Sequence, residues 1–140
     1  MAMDYAAFTR KLIEDLRANG GKVTNGPMAG RTLMILTTTG AKSGEPRSAI
    51  VTYTRDGEHY AIAASKSGAP TNPAWFRNLE AHPEVTVESG GETFRARATV
   101  ATGAERDRLW EHHVAEHPEF GEYPKKTERV IPMILLDRID

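Results

Sequence analysis

What most constrains the fold of this chain is how little sequence separates its β-like runs. Thr32–Thr38 is apolar and β-branched, and only the loop 39–47 separates it from a second such run, Ser48–Thr54. Arg55-Asp56-Gly57-Glu58 then leads into His59–Ala64, and Glu84–Ser89 and Thr93–Ala101 flank Gly90-Gly91. Pro132–Leu136 is the last apolar run. Alternating apolar and β-branched residues favour half-buried strands. Asp-Gly and paired glycines supply the positive φ angles of tight hairpins. Connections this short join antiparallel neighbours, because a parallel crossover needs roughly a dozen residues or more. They argue against a doubly wound nucleotide-binding sheet. The expectation is a mainly antiparallel α+β fold, with its strands closed into a small barrel so that no edge stays exposed.

Helices fill the remaining intervals. Asp4 is a candidate cap for a first amphipathic helix in which Tyr5, Phe8, Leu12 and Leu16 recur at helical spacing, ending at Asn19-Gly20-Gly21. Such a helix ordinarily packs on its own domain, and contact with a membrane surface or a lid role is the alternative. Asn72 followed by Pro73 predicts the start of a second helix, which holds Trp75, Phe76 and Leu79 and stops near Pro83. Thr102-Gly103-Ala104-Glu105 has the form of a capping box and opens a third helix, through His117, that Pro118 stops. After the leading helix the order is β-β-β-α-β-β-α-β. Residues 1–140 are expected to form one domain, with 1–30 as helix and lead-in.

Composition narrows the function. A net charge of −1 gives no basic footprint for nucleic acid. The absence of cysteine excludes disulfides, thiolate nucleophiles and cysteine zinc sites. The first 21 residues carry charge throughout, unlike a signal peptide, and no run is long enough to span a bilayer. A reducing cytoplasm is the simplest compartment. His113-Val114-Ala115-Glu116-His117 matches a zinc-peptidase pattern. The helix ends at once and little chain remains to bring a third ligand, so a solvated helix face is expected and no metal site is assigned.

Two loops carry chemistry. Thr39-Gly40-Ala41-Lys42-Ser43-Gly44-Glu45-Pro46-Arg47 combines glycines, which permit close approach, with Lys42 and Arg47, which attract anions. Its backbone N–H groups can form an oxyanion nest. It is not a P-loop, because Ala41 breaks the required run. A plain polar hairpin turn is the alternative. The stretch Ala64–Leu79 is also small, polar and basic at Lys66, and it feeds a helix N-terminus, where unpaired N–H groups favour anions. Trp75 offers a flat apolar surface, although core packing is the commoner role of a lone tryptophan.

The motifs together resemble the deazaflavin-dependent nitroreductases, whose members use coenzyme F420 on a split β-barrel of the FMN-binding-protein type. The matching pieces are L-T-T-T-G-A-K-S-G-E-P-R (Leu36–Arg47), A-S-K-S-G-A-P-T-N-P-A-W-F-R-N-L (Ala64–Leu79) and A-H-P-E-V-T-V (Ala81–Val87). E-R-D-R-L-W (Glu105–Trp110) and Y-P-K-K-T-E-R-V-I-P-M-I-L-L (Tyr123–Leu136) complete the set. Each piece is weak alone, and their order and spacing are specific. The resemblance implies that Lys42, Ser43, Gly44, Arg47 and Lys66 hold the anionic phosphate-and-glutamate tail of the cofactor. It implies that Gly68, Ala69, Pro73, Trp75 and Asn78 lie along the deazaflavin ring. Ala41 departs from the family, which commonly has a second basic residue there.

The implied activity is hydride transfer from reduced F420 to a small electrophile: a nitro compound, a quinone or an activated enone or lactone. Negative charge grows on such an acceptor, so a donor is needed. Tyr123 and Ser65 are the candidates. The alternative is that Tyr123 only closes the pocket while water supplies the proton, since a free phenol, with a pKa of about 10, is a reluctant acid. The alternatives are an FMN oxidoreductase on the same barrel and a non-catalytic module that binds the cofactor or another ligand. A monomer and a homodimer both fit.

Overall fold

The computed structural model describes residues 5–20 and 32–139. The β-like runs form strands β1 (Leu33–Thr39), β2 (Pro46–Asp56), β3 (His59–Ala63), β4 (Glu84–Ser89), β5 (Glu92–Val100) and β6 (Met133–Arg138). They close into a barrel in the order β1-β2-β3-β6-β5-β4, with every neighbouring pair antiparallel. The hairpins lie where the turn residues place them: Gly57, Gly90 and Gly91 all have positive φ, a region costly for residues with a Cβ.

Strand alternation sends one residue set inward. Met34, Leu36, Val51, Ile62, Val85, Val87, Phe94, Ala96, Ile134 and Leu136 fill the barrel. Helix α2 (Ala74–Ala81) adds Phe76 and Leu79 to this core. Helix α3 (Gly103–Glu116) and the 3-10 segment Pro118–Lys125 build a second core on the barrel wall, from Leu109, Phe120, Ile131 and Met133 with Ala61 and Ala63.

Helix α1 (Tyr5–Ala18) packs Leu12, Ile13 and Leu16 on Leu33, Ile35 and Ile50. The Arg17 guanidinium donates two bonds to the Glu88 carboxylate, at 2.8 and 2.9 Å. The described part of its apolar stripe thus faces the barrel rather than a membrane. Among the described residues no helix is long and apolar enough to cross a bilayer. Asp4, Gly21 and the side chains of Tyr5 and Phe8 lie outside the described residues.

Three local expectations are corrected. Pro73, not Asn72, is the N-cap of α2, and Asn72 Oδ1 instead accepts a 2.7 Å bond from Arg129. Thr102 occupies the N-cap of α3 but makes no side-chain capping bond. The histidine face of α3 is not solvated. His113 is 0% exposed, because it lies one turn beyond the buried Leu109 on the face that meets the barrel.

Candidate functional site

The basic loop is held by its own glycines and by α2. Gly40 donates to the Glu45 carbonyl at 2.8 Å, and Gly44 donates to the Gly40 carbonyl at 2.9 Å. A Cβ on Gly40 would displace Ser43 Oγ, and Gly44 has φ +71°, so glycine is favoured at both positions. The Glu45 N–H donates to Ser43 Oγ at 3.2 Å. Asn78 on α2 accepts from the Ala41 N–H at 3.0 Å and donates to Thr38 Oγ1 at 3.1 Å. Asn78 is 8% exposed, and these two bonds link the loop, the end of β1 and α2.

That anchoring opens a cavity of about 520 Å3. The loop residues Gly40–Ser43, the β2 residues Arg47–Ala49, and Ala74, Trp75, Arg77 and Asn78 line it. Lys42, Arg47 and Arg77 bring positive charge, and among the described residues no carboxylate lines it. A cavity with three cations and no anion favours a polyanionic ligand.

A second cavity of about 440 Å3 continues along β2, from Ile50 to Thr52. Its other walls are Ala63, Ser65, Lys66, Pro73, Trp75, Phe120 and Tyr123, again without a carboxylate among the described residues. Trp75 lines both cavities and packs against the barrel core. Its core role and its site role are therefore compatible. Ser65 is 7% exposed. The Tyr123 ring packs on Phe120 at 5.1 Å between centroids, and Lys126 Nζ lies 5.8 Å from the Tyr123 ring centre.

The loop that carries Lys66 is strained and clamped. Lys66 has φ +45° and Gly68 φ +83°. Arg129 donates to the carbonyls of Ala69 at 2.8 Å, Ser65 at 2.8 Å and Ala64 at 3.2 Å, and to Asn72 Oδ1 at 2.7 Å. Burial lowers its pKa below the ordinary arginine value. Sequence reasoning quoted Arg129 within a motif but gave it no role. Its partners lie 57 to 65 residues away, so no local pattern could have marked it.

The expected site residues thus divide. Lys42, Ser43, Arg47 and Asn78 line the first cavity, Ser65, Lys66, Pro73 and Tyr123 the second, and Trp75 both. Gly68 lines neither: a Cβ there would meet Lys126 and the Tyr123 carbonyl at 3.1 Å. Ala69 is engaged through its carbonyl by Arg129. Gly44 borders a separate hollow on the β1–β4 side, where Arg95 and Arg97 share the Glu84 carboxylate. Arg77 was not singled out from the sequence. His113 and His117 stack at 5.1 Å, and His117 Nε2 pairs with the Tyr53 carbonyl at 3.1 Å.

The family model for F420H(2)-dependent quinone reductase matches residues 8–138 of the chain. An F420H(2)-dependent quinone reductase of Mycobacterium tuberculosis is 34% identical over 125 residues, covering 87% of this chain and 84% of that protein. The solved structure of an F420-H2 dependent reductase (FDR-A) superposes with a TM-score of 0.71 at 36% identity, covering 76% of this chain and 95% of that one. A second, described as a domain-swapped dimer, gives a TM-score of 0.73 at 31% identity over 96% of this chain and 100% of that one. With 8–138 matched by the family model and relatives above 30% identity over most of their length, the chain belongs to the F420H(2)-dependent quinone reductase family.

Proposed function

We propose that this chain passes hydride from reduced coenzyme F420 to a small electrophile, a quinone foremost, in the cavity walled by Trp75 and Tyr123. The observation that carries the reading is the pair of cavities that share Trp75. One is cationic and free of carboxylates, and suits a phosphate-and-glutamate tail. The other mixes the apolar Ile50, Val51, Pro73, Trp75 and Phe120 with the polar Thr52, Ser65, Lys66 and Tyr123, and suits a flat ring with polar edges beside a flat acceptor.

When bound, the reduced deazaflavin supplies the hydride. Lys42 and Arg47 attract the tail, and Lys66 adds charge from the second loop. Ser43 shapes the loop. Trp75 and Pro73 orient the ring, and Gly68 and Ala69 hold the loop behind it. Asn78 anchors the loop, its Oδ1 accepting from the Ala41 N–H and one Nδ2 hydrogen going to Thr38 Oγ1, which leaves one Nδ2 hydrogen for the ring. Phe120 and Trp75 exclude water from the acceptor. Tyr123 Oη and Ser65 Oγ are the donors proposed to meet the negative charge that grows on the acceptor oxygen.

The test mixes pure protein with reduced cofactor and a quinone and follows cofactor absorbance. Protein-dependent oxidation is expected, and tight binding without oxidation would identify a carrier instead. Lys42→Ala with Arg47→Ala should weaken cofactor binding by about tenfold or more at low salt, and the loss should shrink as salt rises. Equal affinity of both proteins at low salt would refute the tail assignment.

A further inference from the structure

We infer that Arg77 joins Lys42 and Arg47 as a tail-binding cation of the first cavity, and that it supplies from α2 the charge that Ala41 withholds from the basic loop. The inference rests on the proposed reading of the first cavity as the tail site. Arg77 and Ala41 line that same cavity. Asn78, the next residue on α2, accepts the 3.0 Å bond from the Ala41 N–H. The helix and the loop are thereby fixed against each other at this point, so a basic side chain at position 41 and Arg77 would serve one cavity.

Arg77 is also uncommitted. Arg17, Arg95, Arg97, Arg106, Arg108 and Arg138 each pair with a carboxylate. Arg77 makes no ion pair or hydrogen bond with any described residue, and it is exposed on a helix whose Phe76 and Leu79 point into the core. An arginine kept free of acids beside Lys42 and Arg47 is arranged for an external anion. Its planar fork suits carboxylates and phosphate alike, which is the chemistry of an oligo-glutamyl phosphate tail.

The test measures binding of oxidised F420, without turnover, by fluorescence titration. A deazaflavin nucleoside lacking phosphate and glutamates serves as the control ligand. Arg77→Gln should weaken F420 binding by about fivefold at low salt, with less effect at high salt. It should leave affinity for the control ligand and the thermal midpoint unchanged. Adding Ala41→Arg to Arg77→Gln should restore most of the loss. Wild-type affinity for F420 in Arg77→Gln at low salt, or an equal loss for both ligands, would overturn the inference while leaving the tail reading intact. Equal affinity of the wild type for the two ligands would overturn the tail reading itself, and the inference with it.

Discussion

Tyr123 lines a cavity shared with the apolar Ile50, Val51, Ala63, Pro73, Trp75 and Phe120 and the polar Thr52, Ser65 and Lys66. A phenol beside such apolar walls makes a hydrogen bond worth more than one in open water, and Ser65 is its competitor for the acceptor oxygen. Tyr123→Phe keeps the ring contact with Phe120 and removes only the donor. Turnover with a quinone should fall by about tenfold or more, while affinity for the cofactor stays within about twofold. Unchanged turnover would reduce Tyr123 to a wall. Residues of this kind were legible in the sequence, because Lys42, Arg47, Lys66 and Tyr123 are types that a core does not require. Arg129 and His113 were not, and Asn78 was legible as a candidate site residue but not as the anchor of the basic loop. Asn78 bonds Thr38 40 positions away, Arg129 reaches across 57 to 65, and His113 meets Thr54 across 59. Each looks like a surface residue until the fold encloses it.

The hairpins and the helices were readable at the scale of elements because their signals are local. Asp-Gly and Gly-Gly turns set strand pairing, and apolar spacing set the three helices. The caps were misread because Asn72 has a more distant suitor: its carboxamide oxygen goes to Arg129 rather than to the first turn of α2. That bond is one of four by which Arg129 fixes the loop 64–72. A lysine keeps the charge but cannot present the planar fork. Arg129→Lys should therefore leave buried carbonyls unmet, at a cost of about 1–3 kcal/mol in stability. Amide hydrogen exchange at Gly68 and Ala69 should quicken while the barrel strands keep their protection. Cofactor affinity should fall with it. Uniformly faster exchange across the barrel would make Arg129 a general stabiliser, and no change at Gly68 or Ala69 would remove its role as a clamp.

The stability of the whole molecule carries a signature of the α3–barrel contact. His113 packs edge-on against Phe120 at 4.4 Å and meets Thr54 Oγ1 only at 3.5 Å, and its Nε2 has no hydrogen-bond partner among the described residues. Burial, helped by the nearby His117 and His112, pushes its pKa down to about 3 from an ordinary 6.5. The folded protein therefore keeps His113 neutral where the unfolded chain is already protonated, so the unfolded state binds more protons and stability falls as pH drops below 6.5. The other lowered groups that titrate near here are Glu88, held down by Arg17, and Asp56, held down by Arg108. Their ordinary values are 4.5 and 3.8, so their loss begins only in more acid solution. Between pH 6.5 and 4.5 the slope thus belongs chiefly to His113, and it amounts to about 2 kcal/mol from a limiting slope of about 1.4 kcal/mol per pH unit. Urea unfolding of the wild type at pH 7, 5.5 and 4.5 should show that loss. His113→Gln should show a flatter profile whatever its absolute stability. Parallel profiles would mean that His113 takes up its proton inside the fold.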